Sequence, residues 1–315
     1  MTVRQLAETA TSHALPAHSA SGPVIETAAG SAPDFIATLI SDNPGPAVVL
    51  GLFPTAAYLQ LSGGEVIALL TRDAVALPIG IVLAIDSSRR PLTRFDGPAR
   101  VRDGFVELGG LTVRVHPGRR VWSGTAGTDG TVGTPVPERV AVASRRVAAL
   151  FDRCGIGPMP AMPARAVDHR EWIAGLLGRG NGLTPSGDDL LCGLLAGGVL
   201  FGRDVSGLRE TVLSELIGRP RATTSLSAAL LRAAADGAVI APLRGLGRAL
   251  CDRGRADSHS DIERDREQDA AMDDQLDSVL AIGHSSGVAL AAGLLLSCEL
   301  PGPIRRGHPT SEVNR

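Results

Sequence analysis

The sequence predicts an α+β protein in which an antiparallel β-rich N-terminal domain is followed by an all-helical C-terminal domain. Between residues 47 and 121, short apolar runs are separated by Gly and Pro signals, which is typical of strands and turns. Asp103-Gly104 stands between two alternating segments and indicates a β-hairpin, because both residues tolerate positive φ. From residue 138 onward, apolar residues recur with the helical period of about 3.6 residues.

These patterns divide the chain into four predicted parts. Residues 1–22 form a flexible leader, 23–136 the β-rich domain, 137–301 the helical domain with the ligand site, and 302–315 a flexible tail. The β-rich domain is expected to be either a small barrel or a sandwich. Strands are predicted at 47–52, 66–70, 79–85 and 111–115, and helices at 138–152, 168–178, 186–202, 206–217, 225–236, 242–251, 270–282 and 286–299. The densely charged stretch 252–268 is predicted to be an exposed loop or a solvated helix face.

Composition excludes several classes of protein. A net charge of −2 gives no basic surface for nucleic acid. All 31 basic residues are Arg, which excludes a Schiff-base lysine and a phosphate-binding P-loop lysine. The four cysteines form no CxxC pair, and no motif for a metal or an organic cofactor is present, so neither is expected. The apolar runs are too short to span a bilayer and no signal peptide is evident, so a cytoplasmic protein without a membrane partner is expected.

The most informative segment runs from residue 178 to 198. Its glycines and hydroxyl residues predict a Gly-rich loop that leads into a helix N-terminus, where free amides bind phosphate or carboxylate. Asp188 and Asp189 stand in the first turn as candidates for a general base, a metal ligand or an orienter of the loop. They point about 100° apart on a helix, so only one is expected to face the site, and we favour Asp188. The candidate ligand-binding residues here are Gly180, Asn181, Gly182, Thr184, Ser186 and Gly187.

Two further helix starts have a similar composition. Ser285, Ser286 and Gly287 precede a second apolar helix, with His284 beside them as a candidate acid, base or anion donor. The form Ser-Gly-x-x-Leu followed by Gly-Leu-Leu occurs in both segments, which predicts that the starts at Ser186 and Ser285 face one small ligand. A third start contains candidate ligand-binding residues and is expected near the same cavity: Arg219 or Arg221, Thr224 and Ser225.

The segments GLTPSGDDLLCGLLAG (182–197), TTSLSAALLRAAADG (223–237) and GHSSGVALAAGLLL (283–296) resemble the bacterial family of the AllH subunit of oxamate carbamoyltransferase, formerly a domain of unknown function. The resemblance covers residues 140 to 300 well and the N-terminal part only in general layout. One departure concerns the third segment, where a carboxylate often follows in the family and where Val288 and Ala289 stand here.

The resemblance implies a role in allantoin and purine-ureide catabolism. The implied reaction transfers a carbamoyl group between phosphate and the amide nitrogen of oxamate, so carbamoyl phosphate, oxamate and oxalurate are the expected small anionic partners. The enzyme is implied to be a complex, so other subunits are expected as partners. His284 or the amides near Ser186 and Gly187 could stabilise the tetrahedral intermediate. The alternative is a non-catalytic subunit that binds a small anion or serves assembly.

Overall fold

The computed structural model describes residues 26–119, 131–163, 165, 168–251 and 261–302, except for the side chains of 261–268. The predicted leader and the predicted tail beyond residue 302 lie outside these ranges, and so do residues 252–260 of the charged stretch. No helix in the described ranges is both long enough and apolar enough to cross a membrane.

The N-terminal part is a closed barrel. Its strands are β1 (Glu26–Ser31), β2 (Gly45–Leu52), β3 (Ala56–Gln60), β4 (Val66–Leu70), β5 (Gly80–Leu83), β6 (Ala99–Arg102), β7 (Phe105–Leu108) and β8 (Leu111–His116), with helix α1 (Asp34–Asp42) between β1 and β2. The order around the barrel is β1-β5-β4-β3-β2-β6-β7-β8, and β8 closes onto β1. The predicted hairpin is confirmed: β6 and β7 are antiparallel, and Asp103 and Gly104 between them have φ of 52° and 77°.

The prediction that the β-rich part is antiparallel is wrong. The barrel is mixed, because β1 runs parallel to β8, from Glu26 opposite Leu111 to Ser31 opposite His116, and β4 runs parallel to β5. Alternating side chains show that a strand has a buried face, but they do not show the direction of its neighbour. Nor were β1, β3 and α1 predicted from the sequence. Closure of the barrel brings β1 beside a strand about 85 residues later in the chain, which no local pattern encodes.

The C-terminal part is helical, as predicted. Its helices are α2 (Pro137–Leu150), α3 (His169–Leu176), α4 (Ser186–Leu200), α5 (Ser206–Gly218), α6 (Ser225–Ala235), α7 (Ala241–Leu250), α8 (Asp261–Leu280) and α9 (Ser286–Leu296). α8 begins before the predicted residue 270, so the end of the charged stretch is helical. The helical core centres on α4 and α9, which are buried along nearly their whole length.

The barrel and the helical part are joined through α6. Leu226 is 1% exposed and belongs to the buried cluster of the barrel, and Leu230 of the next turn packs against that cluster. Leu183, in the loop before α4, packs there as well. These contacts place the start of α4 beside the barrel wall.

Candidate functional site

The N-termini of α4 and α9 meet in the interior of the protein. The hydroxyl oxygens of Ser186 and Ser285 are 3.2 Å apart, and those of Thr184 and Ser286 are 3.1 Å apart. The two predicted helix starts are therefore close together in the fold, and a ligand shared between them stays a prediction. Neither helix has a side-chain cap. Because both positive helix ends point to one place, an acceptor between them is stabilised.

The two helices are related as a repeat. Ser-Gly at 186–187 and 286–287 is followed in each helix by Leu, Gly and Leu-Leu at matching positions. A methyl group added at Gly193 would overlap the carbonyl oxygen of Leu290, and one added at Gly293 would overlap that of Leu190. The contacts are therefore reciprocal, and the parallel helices approach so closely because glycine stands at both crossing points.

Asp188 is buried beneath the loop and is held by hydrogen bonds. The amide of Gly178 donates to its Oδ1 at 2.7 Å, and the hydroxyl of Thr223 donates to its Oδ2. Burial raises the pKa of this carboxyl, while the hydrogen bonds from Thr223, Gly178 and Ser227 oppose the rise. Asp188 therefore ties the loop before α4 to the segment before α6.

Asp189 has the opposite surroundings. It is only 5% exposed, and its Oδ2 has no hydrogen-bond partner among the described residues. Burial raises the pKa of Asp189 to about 7; the hydroxyl groups of Ser286 and Thr184 oppose this rise and the charge of Asp188 adds to it. A carboxyl with this pKa changes protonation near neutral pH, which suits a proton donor or acceptor.

A cavity of about 700 Å³ lies in front of Asp189. Its wall combines the loop before α4, the start of α9, the faces of α4, α6 and α7, and the barrel segments around β3 and β4. Asp188 is absent from this wall, so the contacts do not support the expectation that Asp188 faces the ligand. The wall does contain seven of the predicted site residues: Asn181, Gly182, Thr184, Asp189, His284, Ser285 and Ser286.

Other predicted residues lie behind the wall and support it. The amide of Gly187 donates to Arg179 O at 2.8 Å and that of Gly287 to Ile282 O at 2.9 Å, so both amides are used within the fold. Ser186 contacts Ser285 from the buried side. A side chain at Gly180 would crowd the amide of Ser186.

The predicted residues of the third helix start are not part of the cavity wall. Thr224 caps α6 by accepting from the amide of Ser227 at 3.0 Å, and it donates to Leu183 O at 2.5 Å. Arg219 pairs with Glu215 at 2.9 Å. Arg221 is exposed, and neither it nor Ser225 is part of the wall. The hydroxyl of Thr224 thus bonds to a wall residue, Leu183, without lining the cavity itself, and a role of these four residues in ligand binding stays a prediction.

Sequence reasoning missed the barrel's contribution. Tyr58 of β3, the single tyrosine of the chain, lines the cavity with its ring edge-on to Phe53 at 6.0 Å between centroids. Burial, and then the charge of Asp189, raise the pKa of Tyr58. Cys192, one turn after Asp189, is also in the wall. Cys192 lies on the same helix as Asp189, within the segment 182–197, but no motif marks Tyr58, which only the packing of the barrel on α4 and α6 brings to the site.

Comparison with known proteins gives one result. No curated protein and no solved structure matches the chain. The helices that carry the cavity do have a family counterpart, since residues 176–298 match the family model described as oxamate carbamoyltransferase subunit AllH.

Proposed function

We propose that this chain is a subunit of an oxamate carbamoyltransferase and that its cavity binds the amide substrate. The observation that carries the proposal is Asp189, whose Oδ2 is buried without a partner at the point where two helix N-termini meet. A buried carboxyl oxygen without a partner is costly, so a ligand is expected to satisfy it. The family match of residues 176–298 supports the same substrate class.

The proposed reaction converts oxamate and carbamoyl phosphate to oxalurate and phosphate, or the reverse. In the forward direction, the amide nitrogen of oxamate attacks the carbamoyl carbon, the bond from that carbon to the phosphate oxygen breaks, and the nitrogen loses a proton. Asp189 is suited to accept this proton, because its pKa of about 7 leaves a useful fraction ionised at neutral pH. The pair of electrons from the broken bond leaves with phosphate.

The neighbouring side chains have complementary roles in this proposal. Thr184 and Ser286 orient the carboxyl of Asp189, while Asn181 and Ser285 offer hydrogen bonds to the carboxylate or carbonyl of oxamate. Tyr58 faces Asp189 from the barrel and can donate to the oxygen that becomes negative in the tetrahedral intermediate. His284 is exposed at the rim, where it can meet a substrate or a partner subunit. Asp188 positions the loop.

One observation favours the alternative, a non-catalytic subunit that binds a small anion or serves assembly. Among the described wall residues, none is Arg and the chain has no Lys, so a phosphoryl group would find no fixed cation there. In a complex, another subunit would then bind carbamoyl phosphate, and this chain would present the amide. The two versions differ in whether Asp189 accepts the proton, which would affect kcat, or only binds the amide, which would affect KM.

The test is an assay of the complex, purified through this chain together with its natural partners. Phosphate release from carbamoyl phosphate should depend on oxamate, and Asp189→Asn should lower kcat by at least about 100-fold, the size of a typical general-base contribution. Ser286→Ala should lower it less. Ser206→Ala is the matched control, because Ser206 also begins a helix but bonds to Asp204 outside the cavity.

The outcomes separate the versions. An unchanged kcat with a raised KM for oxamate in the Asp189→Asn complex, together with weaker oxamate binding by the isolated chain, would support the binding subunit. Full turnover and unchanged oxamate binding would refute both versions. Activity lost equally in the Ser206→Ala complex would point to a general defect of assembly.

A further inference from the structure

The cavity is much larger than the substrate proposed above. Its volume is about 700 Å³, which corresponds to roughly 20 water molecules at about 30 Å³ each. Oxamate has fewer than ten non-hydrogen atoms. Sites of this volume usually hold a ligand of drug size rather than a two-carbon acid. Most of the space in front of Asp189 would therefore stay unused by oxamate.

The unused part of the cavity is apolar. The side chains contributed by α6, by the segment after it and by the start of α7 are all aliphatic: Leu226, Leu230, Ala234, Ala238, Ile240 and Leu243. Along α4 the wall residues become less polar with distance from the helix start: Asp189 is followed by Cys192 and then by Ala196. From Asp189 to Ala196 the helix advances about 10 Å at 1.5 Å per residue. The polar groups thus lie at the helix starts, and aliphatic walls extend beyond them.

The charges of the wall restrict which polar group of a ligand can lie beside Asp189. The described wall residues include two carboxylates, Asp73 and Asp189, and no Arg. Asp73 is held by Ser87, and hydrogen bonds from that residue lower its pKa to about 2, so it stays ionised. A dianionic phosphate is poorly suited to such a wall, whereas an amide can donate to Asp189 and accept from Ser285 or Tyr58.

We propose that the site takes an aliphatic primary amide, whose amide group meets Asp189 and the two helix starts while its alkyl chain lies along α4 and α6. This inference rests on the proposed function for the amide end and extends its substrate class beyond oxamate. In this proposal the alkyl chain of the ligand contacts the aliphatic wall formed by α6 and α7. The proposal also predicts that affinity depends on chain length as well as on the head group.

The experiment titrates the full chain with oxamate and with straight-chain primary amides from propanamide to octanamide, using calorimetry. Kd should fall about fourfold for each added methylene, which is the fold-change for about 0.8 kcal/mol per buried CH₂. The gain should continue as far as octanamide, because its extended chain is shorter than the roughly 10 Å between Asp189 and Ala196. The purified complex is titrated in the same way, so that a wall completed by a partner subunit is included.

A filling variant tests where the alkyl chain lies. Ala234→Leu places a larger, branched side chain in the cavity. It should weaken octanamide binding at least tenfold while leaving the affinity for propanamide unchanged. Ala233→Leu is the control, since Ala233 precedes it on α6 and is not in the wall. Should Ala234→Leu fail to fold, the length series on the unaltered chain still decides the question.

The results distinguish this inference from the proposed function. Oxamate binding combined with equal affinity for all the amides, in the chain and in the complex, would overturn the inference and leave the proposed function standing. A steep length series without oxamate binding would support the aliphatic ligand and remove oxamate as the substrate. Equal loss of octanamide binding in the Ala233→Leu and Ala234→Leu variants would overturn the assigned position.

Discussion

Tyr58 of the barrel and Asp189 of α4 line one cavity, close enough that the charge of Asp189 raises the pKa of Tyr58. More than 130 residues separate them in the chain. The site therefore depends on both structural parts, and variants on either side should affect it.

Removal of the Tyr58 hydroxyl should affect the ligand and not the fold. Tyr58→Phe keeps the ring that packs edge-on to Phe53, so the melting temperature should stay nearly constant. Loss of a hydrogen bond to a charged or developing anionic group should weaken binding of oxamate by roughly 10- to 100-fold, or about 1.5–3 kcal/mol. Calorimetric titration checks the affinity. A fall in melting temperature with unchanged Kd would show that the hydroxyl is structural.

Asp189→Asn should change how stability depends on pH. The carboxyl ionises near pH 3.8 in the unfolded chain and near pH 7 in the folded protein. Its contribution to stability is complete below pH 3.8 and is lost as the pH rises through about 7, because only the unfolded chain ionises in between. Relative to the unaltered protein, the Asn variant should gain stability over this interval, up to the order of 4 kcal/mol.

Urea unfolding from pH 4 to pH 8 measures this difference. Asp73→Asn is the control, because the pKa of Asp73 is lowered to about 2, so its contribution is lost only as the pH falls below about 4. A constant difference for Asp189→Asn across the whole range would mean that this carboxyl is not buried as described.

Asp188→Asn should mainly destabilise the fold. Both oxygens of Asp188 accept hydrogen bonds, from the Gly178 amide and the Thr223 hydroxyl, and an amide NH₂ would face one of these donors. A loss of about 1.5–3 kcal/mol in the free energy of unfolding is expected. This expectation differs from the sequence analysis, which favoured Asp188 over Asp189 as the residue that faces the ligand. Normal stability with abolished turnover would restore the original assignment.

The crossing of α4 and α9 should tolerate no side chain. Gly193→Ala and Gly293→Ala would each push a methyl group into a facing carbonyl oxygen, at a cost of about 1–3 kcal/mol or more. Gly175→Ala on α3 is the matched control, because its added methyl would meet nothing and a helical Gly→Ala change stabilises by up to about 1 kcal/mol. Chemical denaturation compares the three, and equal stabilities would contradict the close crossing.

Gly182→Val should weaken binding more than stability. Gly182 has φ of 91° and open space around it, and Gly64 in the turn after β3 has φ of 95° and open space as well. Valine at either position should cost a similar 1–2 kcal/mol or so of stability through backbone strain. Only Gly182 lines the cavity, so only its variant should lose oxamate affinity. Equal oxamate affinity in the two variants would show that the loop around Gly182 does not contribute to ligand binding.

The sequence determined the local structure well. Helical periodicity located the eight α-helices seen among the described residues after 130, and the Asp103-Gly104 turn located a hairpin, because each depends on residues close together in the chain. The repeated Ser-Gly-x-x-Leu pattern also predicted that the helix starts at Ser186 and Ser285 face one ligand, since the amides of two buried helix N-termini need acceptors, and the two starts do lie side by side.

Tertiary structure decided the strand directions and the composition of the site. Barrel closure placed β1 parallel to β8, and packing of α6 on the barrel brought Tyr58 opposite Asp189. The tertiary structure also determines which of the two adjacent aspartates lines the cavity. Both carboxyl oxygens of Asp188 accept hydrogen bonds from Gly178 and Thr223, whereas Asp189 lies in the cavity wall. From the sequence alone, the two carboxyl groups are chemically the same. They differ in burial and in hydrogen-bond partners, and both differences come from residues in distant parts of the chain.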